Sequence, residues 1–123
     1  MTPDKVREVL AIYRKKFEDM HIPNYPFPHH KIPNRGQADI DFNNQFHYNL
    51  AHCHNMLDQM EIFIQEGRMD KVFRWLGFIQ GVLWAAGIYT VEEMANHNRP
   101  WKFRTARNTA VFFILTLMEI MVF

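Results

Sequence analysis

Residues capable of chemistry gather in two places along the 123-residue chain. His47, His52, Cys53, His54 and Asp58 lie close together, and imidazole with carboxylate is a ligand set suited to zinc or iron. Consecutive helical residues diverge by about 100°, so His52, Cys53 and His54 cannot converge on one ion. His54 and Asp58, one turn apart, with His47 two turns before His54, are the better metal candidates, and His29 or His30 would have to complete the shell. The simpler reading is a histidine-rich face in water, so no metal and no other cofactor is expected. The second gathering is Arg99, Lys102, Arg104 and Arg107, interleaved with Trp101 and Phe103. Guanidinium forks beside stacking aromatics suit a phosphate-bearing or nucleobase ligand. His29, His30 and Arg35 could add to such a ligand-binding site. The competing use of the basic cluster is pairing with the acidic middle of the chain, across a fold or an oligomer contact.

Little else in the sequence points to catalysis. No serine is present, which excludes every serine nucleophile, and the single Cys53 excludes an internal disulfide and a multi-cysteine zinc module. Glu92 and Glu93 are accounted for by helix capping. No glycine-rich phosphate loop, paired-carboxylate motif or cysteine–histidine nucleophile can be argued. Catalytic residues are therefore not assigned.

The elements that must position these residues are all helical. The first helix spans about residues 3–20, with Thr2 as cap and Pro3 in its first turn. Val6, Val9, Leu10, Tyr13, Phe17 and Met20 form its apolar stripe. Residues 21–38 hold Pro23, Pro26, Pro28 and Pro33, a composition that opposes regular helix and predicts a loop lying along the helical body. A second helix from about Asp41 to Glu66 carries Phe46, Leu50, Cys53, Leu57, Met60 and Ile64 on one seam. Gly67 stops it, and Asp70 is the expected cap of a third helix from Lys71 to about Ala86, whose seam is Val72, Leu76, Ile79, Leu83 and Ala86. A short connection between two apolar stripes predicts an antiparallel hairpin over residues 39–88.

Gly77 and Gly81 inside that third helix each cost about 1 kcal/mol relative to alanine, so a neighbouring helix or a ligand should approach there. Phe73, Phe78, Trp75 and Trp84 leave this helix too few polar positions for a solvated outer face. Thr90 and Glu93 form a capping box that opens a short fourth helix ending near His97. The last stretch, from Trp101 to Phe123, is helix-compatible and completes the 90–123 region. The whole is predicted as one all-α domain: an N-terminal amphipathic helix, a proline-rich loop, a helical hairpin and a C-terminal apolar helix.

The apolar end, Thr109 to Phe123, needs its own explanation. As a helix it spans about 22 Å, short of the ~30 Å hydrocarbon core of a bilayer, and Glu119 interrupts it. A small domain cannot cover Phe112, Phe113, Ile114, Leu115 and Leu117 on all sides, so a homo-oligomer contact is expected. A membrane-surface contact is the alternative. Fourteen basic residues against thirteen acidic ones give no global field for nucleic acid. The absence of a signal-peptide pattern and the lone thiol predict a cytoplasmic location.

Arg68-Met-Asp-Lys-Val-Phe-Arg-Trp-Leu-Gly-Phe-Ile-Gln-Gly-Val-Leu-Trp84, then Tyr89-Thr-Val-Glu-Glu93 and Asn96-His-Asn-Arg-Pro100, resemble segments of small helical proteins of tailed phages and prophages. That resemblance implies a phage accessory protein and carries no catalytic residues with it. In architecture, not in motif, the expected hairpin is similar to phage sponges that sequester cyclic nucleotide immune signals between subunits. The expectation is a non-catalytic, oligomeric anti-defence binder of a nucleotide. The alternatives are an inhibitor or scaffold that docks on a host protein, and a metal-dependent enzyme using His47, His54 and Asp58.

Overall fold

The computed structural model describes residues 1–24 and 42–100, and within them it contains four helices and no strand. These are α1 (Pro3–Asp19), α2 (Phe42–Gln65), α3 (Met69–Ala85) and α4 (Val91–Asn98). The protein is all-α over these residues. Most of residues 21–38 and everything after Pro100 lie outside them.

The helix ends follow from local chemistry. Thr2 Oγ1 accepts the Lys5 N–H at 3.1 Å, and Pro3 occupies the first turn, where a missing N–H costs nothing. At the start of α4, Thr90 and Glu93 exchange side chain–backbone hydrogen bonds of 3.0 and 2.8 Å, a complete capping box. α3 begins differently from the expectation. Asp70 is not its cap; Arg68 holds that position without a side-chain hydrogen bond, and Asp70 sits inside the first turn. There the Lys71 backbone N–H, and then Arg74 at 3.2 Å, hold the Asp70 carboxyl below its ordinary range.

Three helices end in the same left-handed turn. After α2, the Gly67 N–H reaches Ile64 O and the Arg68 N–H reaches Phe63 O, at 3.0 and 2.9 Å. After α3, Gly87 and Ile88 repeat the pattern onto Trp84 and Leu83. Gly67 and Gly87 have φ of 75° and 76°, a region glycine enters without steric cost. After α1 the equivalent residue is His21, at φ 58°. Its backbone is held there by bonds from the His21 and Ile22 N–H groups to Glu18 and Phe17, and by burial of the Ile22 side chain.

α2 and α3, joined by a three-residue turn, run back along one another. The Phe63 and Trp75 rings meet edge-on near the turn, and His52 meets Phe78 farther from it. α1 lies against α2, and α4 against α1. Between them Val6, Val9, Tyr13, Phe17, Leu57, Met60, Val72, Ile79 and Leu83 are fully or almost fully buried. The expected seams therefore face one core, except that Met20 lies outside it, 38% exposed beside the end of α1, and Phe46 is half-buried and not among the core residues.

His21 is the residue whose backbone conformation its side chain opposes. Replacing it should gain what a left-handed non-glycine residue forfeits: His21→Gly is expected to raise stability by about 1 kcal/mol, read from the midpoint of urea unfolding at unchanged slope.

Candidate functional site

Of the residues that the sequence marks for ligand binding, only Arg99 falls within the described residues. His29, His30, Arg35, Trp101, Lys102, Arg104 and Arg107 lie outside them. Arg99 caps the C-terminus of α4 in an extended conformation, and its Nη1 is buried without a hydrogen-bond partner among the described residues. Asn96 Oδ1, three residues earlier, is buried in the same condition. A buried donor and a buried acceptor thus stand close in sequence at the end of α4, each short of the bond that would repay its desolvation.

His47, His54 and Asp58 do not form a cluster. His47 is exposed and its ring meets Tyr48 edge-on. His54 is buried, its ring stacks obliquely near Phe17, and its Nδ1 lies 2.9 Å from the Ile22 carbonyl. A carbonyl only accepts, so Nδ1 carries the proton and donates. Asp58 receives Arg14 Nη2 at 2.8 Å on one oxygen and Asn24 Nδ2 at 2.9 Å on the other. These bonds, Asn24 first, hold its carboxyl below the ordinary aspartate range. Asn55 adds a 2.7 Å bond to Asn24. Together these residues fasten the segment after α1 along α2. Among the described residues, no group of three or more His, Cys, Asp and Glu side chains could hold a metal ion.

The remaining candidate nucleophile is equally enclosed. Cys53 is fully buried, and that burial pushes its thiol up to about 12, far from the thiolate that reactivity needs. A hollow of about 350 Å³ between α1 and α2 is lined by Arg7, Arg14 and Lys15, which would suit an anion. Their charges are already met: Arg7 lies 3.0 Å from Glu61, Arg14 2.8 Å from Asp58 and Lys15 3.1 Å from Asp19.

The densest polar arrangement was not singled out from the sequence. It joins α1, α3 and α4 around the Tyr13 hydroxyl. Gln80 Nε2 donates to that hydroxyl at 2.9 Å and to Asn98 Oδ1 at 2.8 Å, and Asn98 Nδ2 returns a bond to Gln80 Oε1 at 3.3 Å. The hydroxyl lies 3.0 Å from His97 Nδ1. Since it accepts from Gln80, its own proton is available to His97 Nδ1. Tyr89 meets both rings, tilted at 5.7 Å from Tyr13 and edge-on at 4.8 Å from His97, and Lys16 Nζ sits 5.8 Å over the Tyr89 ring. Burial is the main reason that the Tyr13 hydroxyl is pushed up to about 12, and burial also raises Tyr89. Tyr13 is thus a neutral donor at physiological pH and a poor base. One signal was available in the sequence: Gln80 interrupts an otherwise apolar run from Trp75 to Ala86, and a polar side chain there needs a partner.

The described surface also carries an apolar face. α3 turns Val72, Leu76, Ile79 and Leu83 into the core, yet away from it Phe73 and Trp84 on one flank and Phe78 on the other are 41%, 59% and 47% exposed, with the exposed Asp70–Arg74 ion pair between them. Gly77 and Gly81 lie between these rings. A Cβ at either would meet nothing within 4 Å among the described residues, so the close approach expected there is not made by α1, α2 or α4. No described helix is long and apolar enough to cross a membrane. No family model matches the chain, and no curated protein or solved structure is significantly similar to it.

The Tyr13 node has a pH signature. Its hydroxyl is neutral in both folded and unfolded chains below pH 10; between 10 and 12 the unfolded chain ionises first, so stability falls as pH rises through that window. Tyr13→Phe is expected to cost about 1 kcal/mol at pH 7 and to lose less stability than the parent from pH 9.5 to 11.5, in urea unfolding at both pH values.

Proposed function

We propose that this chain is a non-catalytic binding protein that works as a homo-oligomer, in keeping with its resemblance to small phage accessory proteins. The observation that carries this reading is the second apolar face of α3. Three large aromatic side chains are exposed on one helix beside two glycines, where a helix packed on one side only would carry polar residues. The apolar segment 109–123 adds to the surface that one small domain must shelter. The non-catalytic part is supported by the employment of the reactive groups. Cys53 and Tyr13 are held protonated by burial, and His54 and Asp58 serve as fasteners.

A nucleotide is the ligand favoured by one further observation. Arg99 Nη1 and Asn96 Oδ1 are a buried donor and a buried acceptor lacking partners, at the point where the chain enters the basic, aromatic stretch 101–107. A phosphate with an adjoining base edge offers the complement to both. In this reading the protein captures a nucleotide signal between subunits and does not turn it over.

Native mass spectrometry of gently purified protein tests both parts together. The expected spectrum shows multiples of 14.8 kDa, with a retained nucleotide mass that Arg99→Ala removes while the subunit count is unchanged. A single-subunit species across micromolar concentrations would overturn the oligomer, and an unaltered retained mass in the Arg99→Ala protein would overturn the ligand assignment.

A further inference from the structure

We infer that α4 is a latched clasp: it opens as a unit from the folded body, and its opening is what lets a ligand reach Arg99 and Asn96. Neither of the two atoms to be paired is accessible while α4 is docked. Arg99 Nη1 and Asn96 Oδ1 are both buried without a hydrogen-bond partner among the described residues, so they are sealed from a ligand as they are from water. Some part of the fold must move before they can be met, and α4 with its C-terminal cap carries both.

Among the described elements, α4 is also the least able to stand alone. Its eight residues are too few for an isolated helix to persist in water. Only Met94 of these eight is buried, whereas α1 buries six residues and α3 four. Few buried apolar groups mark a segment that opens at lower free energy than the whole molecule. The unpaired atoms push the same way, because each is desolvated with α4 closed and regains water when α4 opens.

The polar tie around the Tyr13 hydroxyl is the latch that opposes this. Gln80 and Asn98 hold each other through bonds of 2.8 and 3.3 Å, and the hydroxyl lies 3.0 Å from His97 Nδ1. Each of these bonds joins α4 to α1 or α3, and each can be exchanged for a bond to water. The pivot is short. Ile88 stays packed against the core, its N–H bonded to Leu83 O at 3.0 Å, and Thr90 already begins the cap of α4. What the opening admits rests on the nucleotide reading; the opening itself does not.

Hydrogen exchange of the ligand-free full chain, read by mass spectrometry at several urea concentrations below the unfolding transition, is the test. Amides from Met94 to Arg99 are expected to be protected at least ten-fold less than those around Leu57 in α2 and Ile79 in α3, with a weaker dependence on urea. Ile64→Val, at the hairpin end of α2, lowers global stability; it should speed exchange in α2 about five-fold and leave α4 unchanged. Gln80→Leu breaks the bonds to Asn98 and Tyr13 and should speed exchange in α4 about ten-fold, with circular dichroism showing that the chain is folded. Exchange in α4 with the protection and urea dependence of α2, or accelerated equally by Ile64→Val, would mean that α4 opens only with the whole molecule. Unchanged exchange of α4 in Gln80→Leu would mean that the tie is no latch. Each of these outcomes overturns the inference, whereas a failure to retain nucleotide in native mass spectrometry removes the ligand reading and leaves these rates as they are.

Discussion

A helix can turn only part of its circumference toward one neighbour, and α3 carries large apolar side chains well beyond its core side, with Asp70, Lys71, Arg74 and Gln80 as its polar positions. Val72, Leu76, Ile79 and Leu83 are committed to the core with α1 and α2. Phe73, Phe78 and Trp84 then have to face away from it. Burial of a large side chain is worth roughly 1.5–3 kcal/mol, so leaving these three in water forgoes an appreciable part of the stability available to a small domain. The glycines sharpen the point. Two residues that weaken a helix, placed one turn apart where nothing among the described residues uses the space, make sense on a helix that receives a neighbour at close range.

The polar groups of the fold are distributed so that the helices are tied in one arrangement. The segment following α1 is fastened to α2 through His54, Asn55 and Asp58, and α4 is fastened to α1 and α3 through Tyr13, Gln80, His97 and Asn98. Each tie is made of side-chain hydrogen bonds between elements distant in sequence, and each has one buried member, His54 or Tyr13, where an unpaired group would be costly. The second tie has a functional consequence. It holds the end of α4 against the middle of α3, and it leaves Arg99 and Asn96 with polar atoms still unpaired.

The helices and their ends were legible in the sequence because they depend on local chemistry. Thr2 with Pro3, Gly67, Gly87 and the Thr90–Glu93 box each act within a few residues. Asp70 misled because an acidic residue suits both the cap and the first turn, and only the backbone decides between them. The left-handed His21 is less legible than the two glycines, since histidine enters that region more often than most residues but still seldom; burial of Ile22 and the turn's hydrogen bonds hold it there. The site was less legible still. Tyr13 read as one more member of an apolar stripe, and its partners Gln80, His97 and Asn98 are brought to it by tertiary packing. The histidine-rich stretch of α2 read as a possible metal set by spacing alone, while packing gave His54 and Asp58 to other partners.

The central claim is that the side of α3 bearing Trp84 is an interior surface of the working protein. Trp84 reports on it directly. In a Trp75→Phe, Trp101→Phe variant it is the sole tryptophan, and acrylamide quenching of its fluorescence measures its access to solvent. A covered face predicts a blue-shifted emission and quenching several-fold slower than in the urea-unfolded chain. Emission and quenching equal to those of the unfolded chain, in a protein that circular dichroism shows to be folded, would contradict the account.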